Sequence, residues 1–170
     1  VASLSSVGFF VDRMRSGLER DAHQVLGADL LVVSTQGIRP EWKQLAKENG
    51  LKTAETVVFP SMALAGEGDA AMTKLVTLKA VTDGYPLRGK LKLLQGEKEV
   101  EVDSIPAAGT AWVDPSLLGS LKIAIGSKIS MGEQQFIVTQ SIASEPDRGA
   151  GFLGFSPRVM ISEQDLAATK

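Results

Sequence analysis

The chain has 170 residues with 18 Lys plus Arg, 20 Asp plus Glu, one His and no Cys, for a net charge of -2. The missing cysteines exclude a disulfide scaffold, a thiolate metal site and a Cys nucleophile, and a single His cannot supply a multi-His metal centre. The weak net charge gives no field for holding a phosphate backbone, so nucleic acid is not an expected partner. A chain of this length buries about 70% of its unfolded surface and forms a core without staples.

Residues 3–26 predict an amphipathic helix. Leu4, Val7, Val11, Met14, Leu18, Ala22 and Val25 follow one another in steps of three and four, which places them on one stripe. Such a stripe either packs on a core or forms a projecting stalk, because a near-heptad period over this length also suits a paired helix. Gly27 is a natural helix stop.

Residues 28–35 read as a buried strand on the run Leu30-Leu31-Val32-Val33. Pro40 then suits a first helical residue and Gly50 a stop, with Trp42, Leu45 and Ala46 as the apolar face. Residues 51–65 are extended, most strongly at Thr56-Val57-Val58-Phe59. A turn at 66–69 leads into 71–82, which pairs back as a hairpin.

Residues 90–102 are short, charged and β-like. Asp114 and Pro115 open a short helix through Leu118, with Asp as cap and Pro in the first turn. Lys128 to Met131 and Gln135 to Ile142 form a hairpin across Gly132-Glu133, and Arg158 to Ile161 is a last strand. Ser162 caps a closing helix. The expected class is α+β: a discontinuous α/β lobe with a small β-rich lobe inserted in it. The parts are 1–82, an inserted 83–145, and a return over 146–170.

Motifs for chemistry fail on context. Gly84 to Lys90 matches most of a phosphate-binding loop, but Leu91 stands where Ser or Thr would bind Mg²⁺, and strand rather than helix follows. Gly149-Ala-Gly-Phe-Leu-Gly154 matches a dinucleotide fingerprint, yet Pro157 follows and no helix opens. His23 lies beside Asp21 without a nucleophile motif and reads as a surface residue. Asp103, Asp114 and Asp147 read as turn or cap residues. No cofactor, metal or catalytic residue is expected. One feature is unusual: Phe152, Leu153 and Phe155 stand in a Gly-rich connection between Arg148 and Arg158. They either fold back as a lid or, with Arg148, offer a contact surface for a partner or hydrophobic substrate.

Several longer runs carry a resemblance. Val7-Gly-Phe-Phe-Val-Asp-Arg13, Gly27-Ala-Asp-Leu30, Lys79-Ala-Val-Thr-Asp-Gly-Tyr-Pro-Leu-Arg-Gly89, Glu145-Pro-Asp-Arg148 and Pro157-Arg-Val159 resemble bacterial ABC-transporter permeases of the YbbP type, in the group of MacB, LolC/LolE and FtsX. The resemblance covers essentially the whole chain. It implies a periplasmic domain of an inner-membrane permease, lying between transmembrane helices, with a porter-like lobe and an inserted Sabre-like lobe. On this reading Leu4, Val7, Val11, Met14 and Leu18 belong to a stalk leaving the membrane, and the chain is a piece of a longer protein, without a leader peptide of its own.

The resemblance further implies mechanotransmission. A separate cytoplasmic ABC ATPase subunit would hydrolyse ATP, and this domain, itself not an enzyme, would act on a lipid, lipoprotein or other hydrophobic substrate. Partners implied are that ATPase, a second periplasmic domain or permease copy, and a periplasmic esterase or carrier. The alternative from the residues alone is a free-standing periplasmic hydrolase or ligand-binding module.

Overall fold

The computed structural model describes residues 26–148 and 155–169. The predicted helix 3–26, with the stripe Leu4, Val7, Val11, Met14 and Leu18, lies outside the described residues except for Leu26. So do His23, Phe152, Leu153 and the Gly149 to Gly154 motif.

Among the described residues, eight strands and two short α-helices follow one another: α1 (Pro40–Glu48), β1 (Thr56–Ala65), β2 (Met72–Val81), β3 (Leu91–Gln95), β4 (Lys98–Val102), β5 (Thr110–Val113), α2 (Pro115–Leu121), β6 (Lys128–Met131), β7 (Gln134–Ser144) and β8 (Arg158–Ser162). A 3-10 helix, Glu163–Thr169, closes the chain where a helix capped by Ser162 was expected. Local chemistry explains the hairpins. β1 and β2 pair antiparallel over their full length, from Thr56 with Val81 to Ala65 with Met72. β3–β4 and β6–β7 turn at Gly96 and Gly132, both at positive φ (65° and 59°), a region glycine enters without steric cost.

All eight strands belong to one sheet, ordered β4-β3-β7-β5-β8-β2-β1-β6, and β6 pairs again with β7. The strands from β7 round to β6 therefore close into a ring, with the β3–β4 hairpin attached as a wing on β7. The sheet runs through the segments expected as separate lobes. The middle strands β5, β6 and β7 share the ring with β1, β2 and β8.

The pleat sorts side chains to the two faces. Ala63 and Ala65, Val76 and Leu78, Ala111 and Val113, Ile129 and Met131, Phe136 and Val138, Val159 and Ile161 are spaced by two along their strands and form one buried cluster inside the ring. Leu117 and Leu121 of α2 join it. A second cluster, Val81, Tyr85, Leu91, Leu93, Trp112, Ile142 and Met160, lies between the outer face of β2, β8 and β5 and the wing. β2 from Val76 to Val81 and β8 are thus covered on both faces, as parallel neighbours usually are. They pair in parallel, Thr77 with Arg158 through Val81 with Ser162.

Three expectations are corrected. Residues 28–35 form no strand, and Leu30 and Val33 are 75% and 79% exposed. Neither β1 nor β2 takes them as a neighbour. β2 is flanked on both sides, and the open edge of β1 is guarded. The Thr77 amide donates to Pro157 O (2.9 Å), so the backbone polar groups of Thr77 face β8. Its register partner Pro60 is then in a non-hydrogen-bonded pair and turns its N–H-less nitrogen to the open side, a common protection of edge strands. Second, α1 forms as expected from Pro40 but buries none of its residues, and Trp42 is 46% exposed. Third, β5 (Thr110–Val113) is a central strand that the periodicity did not single out.

Candidate functional site

The candidate site grows from an anomaly in β2. Lys79 stands between Leu78 and Ala80 in a strand buried on both sides, and it is itself 1% exposed. A lone buried ammonium is strongly unfavourable, so the chain must surround it with acceptors. It does. Lys79 Nζ donates to Tyr85 Oη (2.6 Å), Glu145 Oε2 (3.0 Å) and Asp147 Oδ1 (2.6 Å). All three ammonium donors are used. The same nitrogen lies 4.4 Å from the Tyr85 ring centroid, within cation–π range.

Arg158 joins from β8, two residues before Met160 and on the same outer face. Its Nε donates to Glu145 Oε1 (2.5 Å) and its Nη2 to the Arg148 carbonyl (3.4 Å), while Nη1 is buried without a partner. Glu145 is therefore held on both oxygens by two cations. With Asp147 the cluster contains two positive and two negative side chains and is neutral as a whole.

Tyr85 bridges the two halves. Its hydroxyl accepts from Lys79 and donates to Asp147 Oδ1. Burial raises its pKa far above the ordinary phenol value, and the Asp147 charge and hydrogen bond raise it further. The hydroxyl is fixed as a donor. The Tyr85-Pro86 peptide bond is cis.

The cluster reaches the surface at one point. Asp147 is 21% exposed, and it lies against Gly27: a Cβ on Gly27 would stand 3.3 Å from Asp147 Cβ. Gly27 has φ +65°, and its carbonyl accepts from the Arg88 amide (2.8 Å). The Arg88 guanidinium then grips Asp29 with both arms, Nε to Oδ1 at 2.9 Å and Nη2 to Oδ2 at 2.8 Å. The N-terminal segment is thus seated on the domain by the 84–89 turn and by Asp147. A third contact ties the same neighbourhood to α2. Arg148 Nη2 donates to Asp114 Oδ2 (2.6 Å), while Asp114 Oδ1 caps α2 through Ser116 N (3.0 Å). Burial opposes ionisation of Asp114, but the hydrogen bonds from Arg148 and Ser116 outweigh it and hold the carboxyl below its ordinary range.

Of the predicted contact residues, Arg148 and Phe155 are described. Arg148 is engaged with Asp114, and Phe155 is 87% exposed. The structure brings together residues that sequence reasoning quoted within runs but did not combine. Asp147, expected as a turn residue, is an ion-network member. The visible signal was a charged residue inside an apolar strand, both at Lys79 and at Arg158 before Val159-Met160-Ile161.

No group of metal-ligating side chains occurs among the described residues, nor does a helix long and apolar enough to cross a membrane. The Gly84 to Lys90 run is a turn entering β3 and cradles no helix N-terminus. Two adjoining clefts at the ends of β2 and β8 share Asp83, Ile105, Ser162 and Gln164 and are open to solvent.

No family model matches the sequence, and no curated protein does. The fold does have counterparts. The chain is similar to the extracellular domain of the noncanonic ABC-type transporter YknZ from Gram-positive bacteria, with a TM-score of 0.50 at 15% identity, covering 78% of this chain and 66% of that one. It is also similar to the periplasmic region of MacB from Actinobacillus actinomycetemcomitans, with a TM-score of 0.45 at 13% identity, covering 71% of this chain and 52% of that one. The described residues therefore share the fold of the YknZ extracellular domain. The chain spans slightly less than two thirds of the YknZ domain.

Proposed function

We propose that this chain is the extracytoplasmic domain of a bacterial ABC-transporter permease of the mechanotransmission type. The observation that carries the reading is the fold shared with the YknZ extracellular domain over 78% of the chain. In this reading ATP is hydrolysed by a separate cytoplasmic subunit, and the motion enters this domain through the N-terminal segment. Residues 1–26 act as the stalk, seated at Gly27 and Asp29. The substrate class is a lipid, lipoprotein or other hydrophobic molecule drawn from the inner membrane, and Phe155, with Phe152 and Leu153 beside it in sequence, contacts the substrate or a partner. A second periplasmic domain or permease copy completes the assembly, and a periplasmic esterase or carrier receives the product. The domain itself performs no catalysis and needs no cofactor.

The test uses the absence of cysteine from these 170 residues, in a full-length protein from which any other cysteine has been removed. Glu97 lies exposed on the β3–β4 turn. A single Glu97→Cys in the full-length protein, in its native cell, is treated with a membrane-impermeant maleimide. The expected result is labelling of intact cells. Labelling only after lysis places the domain in the cytoplasm and overturns the reading. Turnover of ester or thioester substrates by the isolated 170 residues, abolished by one point change, would instead favour the hydrolase.

A further inference from the structure

The connection between β7 and β8 begins at Glu145 and ends at Arg158, and these two residues clip its neck together through the 2.5 Å bond. The first arm, 145–148, carries Asp147, and the second, 155–158, carries the exposed Phe155. Asp147 of this neck lies beside the N-terminal entry: a Cβ on Gly27 would stand 3.3 Å from Asp147 Cβ. Both of its attachments inside the domain run through Lys79 and Tyr85. Tyr85 in turn lies three residues before Arg88, which holds the Gly27 carbonyl and the Asp29 carboxylate. The entry and the neck are therefore fastened to the same short stretch of the domain, 79–88, and they approach each other closely at Gly27, where a Cβ would press on the Asp147 side chain.

We infer that Asp147 is a shared latch: it couples the seating of the N-terminal entry at Gly27–Asp29 to the closure of the β7–β8 neck, so that unseating the entry loosens the arm that carries Phe155. Such a coupling acts in both directions by thermodynamic necessity. It is specific to this site, because the β3–β4 wing makes no contact with Gly27 or Asp147 among the hydrogen bonds described. The inference concerns the domain alone and holds whether or not the transporter reading does. The permease reading supplies only its use, the delivery of stalk motion to a hydrophobic contact.

Hydrogen exchange on the 170-residue chain tests it. Arg88→Ala removes an exposed guanidinium and leaves the core intact, and Gly27→Val presses directly on Asp147. Each is expected to raise exchange in 145–148 and 155–160 by about fivefold or more, with the 91–102 hairpin unchanged. Reciprocally, Glu145→Gln is expected to speed exchange of the Arg88 amide. If the Arg88→Ala and Gly27→Val effects stay within 26–31 and 84–90, the latch is overturned. A uniform rise that includes 91–102 is global loosening and overturns it equally. The maleimide result is independent of both.

Discussion

Glu145 accepts from Lys79 on one carboxylate oxygen, at 3.0 Å, and from Arg158 on the other, at 2.5 Å. One buried acid thereby joins β2, the end of β7 and the start of β8. The energetic consequence differs from that of a surface pair. Removing one partner of a buried charge network leaves another charge without compensation and costs on the order of 3–5 kcal/mol. Glu145→Gln is expected to fall in this range by urea denaturation, read as a lower midpoint at an unchanged slope. Lys43→Ala breaks the Lys43–Glu55 pair, whose side chains are 50% and 41% exposed, and is expected to cost no more than about 1 kcal/mol. Equal losses would mean that the Glu145 network is solvated and does not organise the fold.

Tyr85 is the sole tyrosine of the chain, so its ionisation can be followed without interference. Burial, aided by Asp147, raises its pKa above the ordinary 10.0. The folded state then keeps a proton that the unfolded state loses. This contribution to stability is fully present below pH 10 and declines as pH rises above it. Titration at 295 nm is expected to show no tyrosinate until the chain unfolds cooperatively at high alkalinity. Ionisation near pH 10 in a chain still folded by circular dichroism contradicts the burial of the hydroxyl between Lys79 and Asp147.

Glycines at similar φ separate backbone strain from crowding. Gly96 and Gly132 occupy the left-handed region at φ 65° and 59°, but a Cβ on Gly96 meets nothing within 4 Å, whereas on Gly132 it stands 2.6 Å from the Thr169 backbone. Gly96→Ala is expected to cost only the left-handed penalty, about 1–2 kcal/mol. Gly132→Ala adds a clash with backbone that cannot rotate aside, so it should cost clearly more and release the closing 3-10 helix. Thermal melts of the two variants make the comparison, and equal shifts would show that the helix is not seated on the β6–β7 turn.

Two hairpins, β1–β2 and β6–β7, were legible in the sequence because their information is local: turn glycines and alternating residues sit within a few positions of one another. Residues 90–102 read only as β-like, and their division into β3 and β4 at Gly96 was not singled out. The ring was not legible. It depends on the parallel pairing of Thr77 with Arg158 and on the single register contact of Leu64 with Ser130, neither of which leaves a local trace. The same distance hid the site. Lys79 was visible as a charge in an apolar strand, but its acceptors Glu145 and Asp147 lie 66 and 68 residues further on. The run Leu30 to Val33 misled because its composition suits a strand while no strand of the sheet pairs with it. Composition reports what a segment could pair with, and topology decides whether a partner remains.

That open edge leads to the last prediction. β1 pairs with β6 only at Leu64, so the backbone of Val58, Pro60 and Met62 faces outward on the unpaired side. Val58 and Met62 are exposed apolar residues on the outer face, and flat apolar edges invite pairing with another chain. Pro60 interrupts the row of donors midway. Pro60→Val restores the missing N–H and adds a residue of high β propensity without disturbing the β1–β2 ladder, since position 60 makes no hydrogen bond to Thr77. The variant is expected to keep or slightly raise its unfolding midpoint while associating in a concentration-dependent manner, measured by sedimentation velocity. Pro60→Lys restores the same N–H but adds a charge, and is expected to stay monomeric. If Pro60→Val is also monomeric at high concentration, the proline is not what guards the edge, and the bare backbone of β1 is protected by its twist away from β6 instead.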